Sequence, residues 1–232
     1  MKIAIVGATG SIGSIILQQT LQRDDVDSIV TITRKPLPST DPRVHNAIIE
    51  DFGNLDDLSD ATWSSIRDAD TLVWAMGTYT LNEDVNFTYP LQFQRHLVQR
   101  SNIRDGKTTK IQFILLGGAF TETNQSQWLW FLPAQRHMKG LLQTEILTFA
   151  HQHSDTLRAI VIKPGGVLMG GDTFVNKVAQ FVFTSWFVIR GEELGTAVAE
   201  LAVNGSKTPV IPNQEMVEIG RRLDALSAKK AL

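Results

Sequence analysis

Lys2-Ile-Ala-Ile-Val6, then Gly7-Ala-Thr-Gly10-Ser-Ile-Gly13, is the stretch that decides how this chain folds. Four consecutive apolar residues, Ile3 to Val6, read as a buried strand. Ile12, Ile15 and Ile16 then recur at helical spacing, so the period changes across the glycines. Strand, glycine turn and helix form the front half of a nucleotide-binding βαβ unit. In that reading Gly7 makes the tight turn, Gly10 lets the backbone approach a diphosphate, and Gly13 lets the helix pack on the strand. Gly7, Thr9, Gly10, Ser11, Ile12 and Gly13 are the candidate diphosphate contacts, because a helix start offers unpaired N–H groups and partial positive charge. The spacing G-x-x-G-x-x-G departs from the commonest dinucleotide fingerprint, and the alternative is a turn with no ligand.

The next strand, Ser28 to Thr33, ends at Arg34-Lys35-Pro36. An NAD site places an acid at this strand end to hold the ribose 2′-hydroxyl. Two cations stand there instead, and a guanidinium pairs well with a 2′-phosphate, so NADP(H) is the expected cofactor. The other reading of Arg34 and Lys35 is a solvated basic loop. Strand three, Val44 to Ile49, leads to Asp51 and Phe52. Asp51 is placed either to accept from an adenine amino group or to cap the next turn. Strand four, Thr71 to Ala75, ends in Met76 and Gly77, and Ala75, Met76 and Gly77 are expected near the cofactor backbone.

Further helices are expected over 55–66, 89–102, 133–153, 192–203 and from 214 onward. Further strands are expected over 111–116, 157–162 and 208–211. This alternation implies one α/β domain over 1–232, a doubly wound, mainly parallel sheet of six or seven strands. Substrate-side elements fall within 119–133 and 168–232.

Bulk properties narrow the function classes. The chain has 232 residues, a net charge of −2 and no cysteine, so disulfides, thiolate metal sites and cysteine nucleophiles are excluded. No long basic tract points to nucleic acid. The apolar stretch 174–189 is too short and too polar to span a bilayer. No leader precedes the first strand, so a cytoplasmic location is expected. No clustered metal-ligand spacing occurs, so no metal site is expected.

Four features resemble the short-chain dehydrogenase/reductase superfamily, nearest to its atypical, extended, epimerase-like and NmrA-like branch. They are Gly7–Gly13, Thr33-Arg34, the turn at Gly77, and Lys163-Pro164-Gly165. The resemblance covers about residues 1–170 and implies a Rossmann fold with NADP along the strand ends. It also implies that Pro164, Gly165, Gly166 and Val167 lie beside the nicotinamide. In that family a serine after strand five and a Tyr-x-x-x-Lys pair carry hydride chemistry. Lys139 matches the lysine and is expected to hold the nicotinamide ribose. The tyrosine position is Gln135, which has no ionisation near neutral pH, and the serine position is Gly117 or Gly118.

Candidate replacements for the missing hydroxyls are Tyr79, Thr121 and Thr123, with Gln135 supplying hydrogen bonds; His137 is expected mainly at the surface. Trp128, Trp130, Phe131, Phe174, Phe181, Phe183, Trp186 and Phe187 are either walls of an apolar pocket, core, or a homodimer interface. The expected activity is NADPH-dependent reduction of a carbonyl or enone of an apolar metabolite. A non-redox isomerase or cyclase and an NADP(H) sensor without turnover are the alternatives.

Overall fold

The computed structural model describes residues 1–78, 80–101, 110–170 and 187–230. Strands β1 (Lys2–Val6), β2 (Ser28–Thr33), β3 (Val44–Ile48), β4 (Thr71–Trp74), β5 (Ile111–Leu116), β6 (Leu157–Lys163) and β9 (Val210–Pro212) form one sheet in the order β3-β2-β1-β4-β5-β6-β9. Every pairing is parallel, so the order reverses direction at β1 and all strand C-termini lie along one edge. Central strands buried on both faces favour apolar residues at successive positions, and this explains the unbroken runs Ile3–Val6 and Phe113–Leu115; the buried amide of Gln112 is satisfied by donating to Leu201 O.

Helices α1 (Ser11–Leu21), α5 (Gly191–Asn204) and α6 (Asn213–Lys230) cover one face of the sheet. Helices α2 (Asp60–Arg67), α3 (Tyr89–Ser101) and α4 (Pro133–Gln152) cover the other. That second face is rich in aromatics: Trp63, Trp74, Phe93 and Phe113 are all fully buried and in ring contact.

Two local features differ from the sequence reading. The helix expected over 55–66 is broken into a short 3-10 turn, Leu55–Asp57, and α2. The break falls at Ser59, whose hydroxyl accepts from Thr62 N–H and so starts a new helix. Past β6 the chain does not simply turn: Gly166–Leu168 (β7) pairs in parallel with Val188–Arg190 (β8) in a second, two-stranded sheet.

Candidate active site

The glycine turn is held by its own backbone. Gly7 adopts φ +81°, which a side chain would strain, and its N–H donates to Ile32 O at 3.1 Å. Gly10 N–H donates back to Gly7 O at 2.9 Å. A β-carbon on Gly13 would lie 2.1 Å from Gly7 O, so the start of α1 rests directly on the turn. A β-carbon on Gly10 would meet only Gly7 O, at 3.2 Å, leaving its other side open. The first helical bond runs from Ser14 N–H to Gly10 O, so the amides of Ser11, Ile12 and Gly13 stand ahead of the ladder. Thr9 and Ser11 are exposed and Ile12 half-buried beside them.

At the neighbouring strand ends Arg34 and Lys35 are exposed, and no ion pair among the described residues engages either. Asp51 is exposed and caps its own turn, accepting from Gly53 N–H through Oδ1 at 2.8 Å, and no bond to Oδ2 occurs among the described residues. Phe52 is only 4% exposed and its ring packs on Trp74 and Phe93, which leaves its backbone as the part open to a cofactor. The turn after β4 packs on the glycine turn. Met76 N lies 3.0 Å from the point where a Gly7 β-carbon would be. Half-buried Ala75 and Met76 and exposed Gly77 line it. Asn86, missed in the sequence reading, ties this loop down, accepting from Thr78 N–H at 2.9 Å and donating to Thr80 O at 2.7 Å. Tyr79 lies outside the described residues.

Beyond β5 the chain turns at Gly117 and Gly118. Thr121 donates its hydroxyl proton to Gly118 O at 2.6 Å, so this candidate catalytic hydroxyl is already spent on closing its own turn. The segment that follows is pressed against α4: a β-carbon on Gly140 would fall 1.6 Å from Glu122 O. One turn of α4 carries Gln135 and Lys139, both half-buried. Lys139 Nζ reaches within 3.5 Å of the position a Gly118 β-carbon would take, and Gly118 is one of the two glycines expected at the serine position. Burial pushes the Lys139 ammonium below the ordinary lysine range, because desolvation disfavours the charged form.

Lys163, at the end of β6, is a second half-buried cation that the sequence reading quoted without giving it a role. Its Nζ donates to Thr121 O at 3.5 Å; burial lowers its pKa while the Glu122 carboxylate opposes the shift. His137 is half-buried rather than solvated, and its Nδ1 is shielded with no protein partner among the described residues.

The turn Pro164–Val167 is fixed from a distance. Asn213, the first residue of α6 and 5% exposed, accepts from Gly165 N–H at 2.7 Å and donates to Val188 O at 3.2 Å. Phe187 O accepts from Gly166 N–H and sits 2.3 Å from where a Gly165 β-carbon would go. Only a glycine permits that approach. Trp128, Trp130, Phe131 and Phe187 are 78%, 81%, 45% and 53% exposed, which removes the core reading and leaves pocket wall or interface. Phe174, Phe181, Phe183 and Trp186 lie outside the described residues. Two clefts, of about 240 Å³ beside Phe87 and Glu145 and about 520 Å³ beside Lys207 and Arg222, are lined by none of these residues.

No family model matches the chain. A protein of Kluyveromyces lactis named "Protein FMP52, mitochondrial" is 24% identical over 244 residues, covering 94% of this chain and 98% of that one. Its name lends no support to a cytoplasmic location, and no helix among the described residues is long and apolar enough to cross a membrane. A short-chain dehydrogenase family protein from Francisella tularensis superposes with a TM-score of 0.64 at 15% identity, covering 94% of this chain and 98% of that one. L-sorbose reductase from Gluconobacter frateurii, solved with NADPH and L-sorbose, gives 0.63 at 19% identity, covering 94% and 97%. The chain thus has the Rossmann-type fold shared by short-chain dehydrogenase/reductase proteins.

Proposed function

We propose that the chain is an NADPH-dependent oxidoreductase that reduces a carbonyl or enone of an apolar small metabolite. The observation that carries this reading is Lys139: a half-buried ammonium aimed at the bare Gly118 end of β5, on the same strand-end edge as the glycine turn. The residues present fit a dinucleotide. Gly10 leaves an open face, the Ser11–Gly13 amides stand ahead of the helix, and exposed Arg34 and Lys35, in no ion pair among the described residues, suit a 2′-phosphate. Bound NADPH supplies a hydride. The chain's own part is to hold and polarise. Lys139 holds the nicotinamide ribose, and its desolvated charge favours negative charge developing on a nearby oxygen. Asn213 fixes Gly165, so the nicotinamide-side turn presents its backbone at a set height.

The proton comes from a group other than the usual tyrosine. Gln135 cannot ionise near neutral pH and instead orients the substrate by hydrogen bonding. Trp128, Trp130 and Phe187 supply apolar surface on the substrate side, and a homodimer through these rings is a compatible assembly. Loss of the tyrosine and serine together favours a second reading, an NADP(H)-binding sensor without turnover. The separating experiment follows NADPH absorbance with a panel of hydrophobic ketones and enones. Consumption with stoichiometric alcohol or saturated product supports the reductase. Tight NADPH binding with no consumption supports the sensor, and product without NADPH consumption a non-redox isomerase or cyclase.

A further inference from the structure

At the far end of the same edge, Tyr89, the first residue of α3, meets the loop that follows β3. Its ring stacks on Phe52 with centroids 6.1 Å apart and planes 29° from parallel, so buried packing fixes the direction of the phenol. The bare face of Gly53 lies between two polar groups. A β-carbon there would be 3.2 Å from Asp51 Oδ1 and 3.8 Å from the Tyr89 hydroxyl. Tyr89 is half-buried, and the Arg34 guanidinium, from the end of β2, acts on it electrostatically. The loop after β3 and the start of α3 therefore bring a carboxylate and a phenol around one small opening at Gly53.

We propose that Tyr89 is an adenine-reading residue: its hydroxyl donates to the ring nitrogen N1 while Asp51 accepts from the 6-amino group. An adenine edge presents one acceptor beside one donor, and this pair answers both. Asp51 Oδ1 is held by Gly53 N–H, which orients the carboxylate and leaves Oδ2 for the amino group. Burial and the carboxylates of Asp84 and Asp51 push the Tyr89 phenol above the ordinary tyrosine range, with Arg34 acting the other way, so it remains a proton donor at neutral pH. The inference rests on the NADP(H) reading above and adds to it a contact that comes from α3.

The test is calorimetric binding of NADP⁺, 2′,5′-ADP and the hypoxanthine analogue of NADP⁺ to wild type, Tyr89→Phe and Asp51→Asn. Tyr89→Phe keeps the ring on Phe52, so its melting temperature should match wild type. It should weaken both adenine ligands by about tenfold, the scale of one buried hydrogen bond. Wild type should prefer adenine over hypoxanthine by about tenfold, because a 6-oxo group would face the Asp51 carboxylate. Asp51→Asn should erase that preference, since a flipped amide serves either base, and it stands as the test should Tyr89→Phe not fold. Unchanged affinity in Tyr89→Phe, or no base preference in wild type, overturns the inference while the cofactor reading stands. A wild type that binds no NADP⁺ overturns both.

Discussion

Gly13 and Gly10 look alike in the sequence, yet the structure assigns them opposite vulnerabilities. A methyl on Gly13 would enter backbone, 2.1 Å from Gly7 O and 2.8 Å from Gly7 C, where contact needs about 3.5 Å. The obstacle is main chain, not a flexible side-chain end, so the turn and α1 must separate by more than an ångström. Overpacking of this kind costs about 3 kcal/mol. Replacing a helical glycine by alanine returns roughly 1 kcal/mol of propensity. The net loss for Gly13→Ala is then about 2 kcal/mol, or a melting temperature lower by about 4–8 °C for a chain of this size. Gly10→Ala meets only Gly7 O, at 3.2 Å, and sits at the helix N-cap with φ −76°. Its cost is about 1 kcal/mol or less, yet its methyl projects where a diphosphate must approach, so NADP⁺ affinity should fall by about tenfold or more. Differential scanning fluorimetry and calorimetric titration of both variants read the two effects separately. Wild-type melting of Gly13→Ala would refute the packing argument, and wild-type NADP⁺ affinity in Gly10→Ala would refute the placement of the diphosphate.

Three further outcomes are expected. Lys139→Met should raise the melting temperature at neutral pH. A lysine whose folded pKa is lowered by burial penalises the folded state while charged, and that penalty disappears as pH rises from the folded value towards 10.5. The gain over wild type should therefore shrink in melts approaching that pH, and a gain independent of pH would contradict it. Gly118→Ser with Gln135→Tyr should raise reductase kcat by about a hundredfold, the lower range for general acid catalysis. A β-carbon at Gly118 is in ordinary contact with Lys139 Nζ at 3.5 Å, so the serine fits; no gain in single-turnover rate would show that hydride transfer does not wait on that proton. Gly140→Ala should abolish turnover, because its methyl would drive into Glu122 O and displace the segment carrying Thr121, the partner of Lys163. Full activity in that variant would remove the segment from the site.

Elements set by local pattern were legible from the sequence. β2 and β5 span the residues expected from the sequence, Ser28–Thr33 and Ile111–Leu116, because β-branched and apolar residues dominate parallel strands buried on both faces. The glycine turn was legible because a period change and three glycines fall together within a dozen residues. What escaped depends on partners distant in the chain. β7 exists only through pairing with β8, and Asn213 acquires its role from Gly165, 48 residues earlier. Asn86 and Tyr89 carry no motif of their own; the loop and strand ends that fold against them define their function. The inward ring of Phe52 is likewise set by distant partners: in the turn past β3 it packs on Trp74 and Phe93, while the neighbouring Asp51 stays exposed.

The most direct test of the account is a calorimetric titration of the wild-type chain with NADP⁺ and with NAD⁺ at low salt, repeated for Arg34→Ser with Lys35→Ser. Saturable one-to-one binding of NADP⁺, about tenfold or more tighter than NAD⁺ and reduced to parity by the double substitution, is the predicted result. No heat with either dinucleotide, or a preference for NAD⁺, would contradict it.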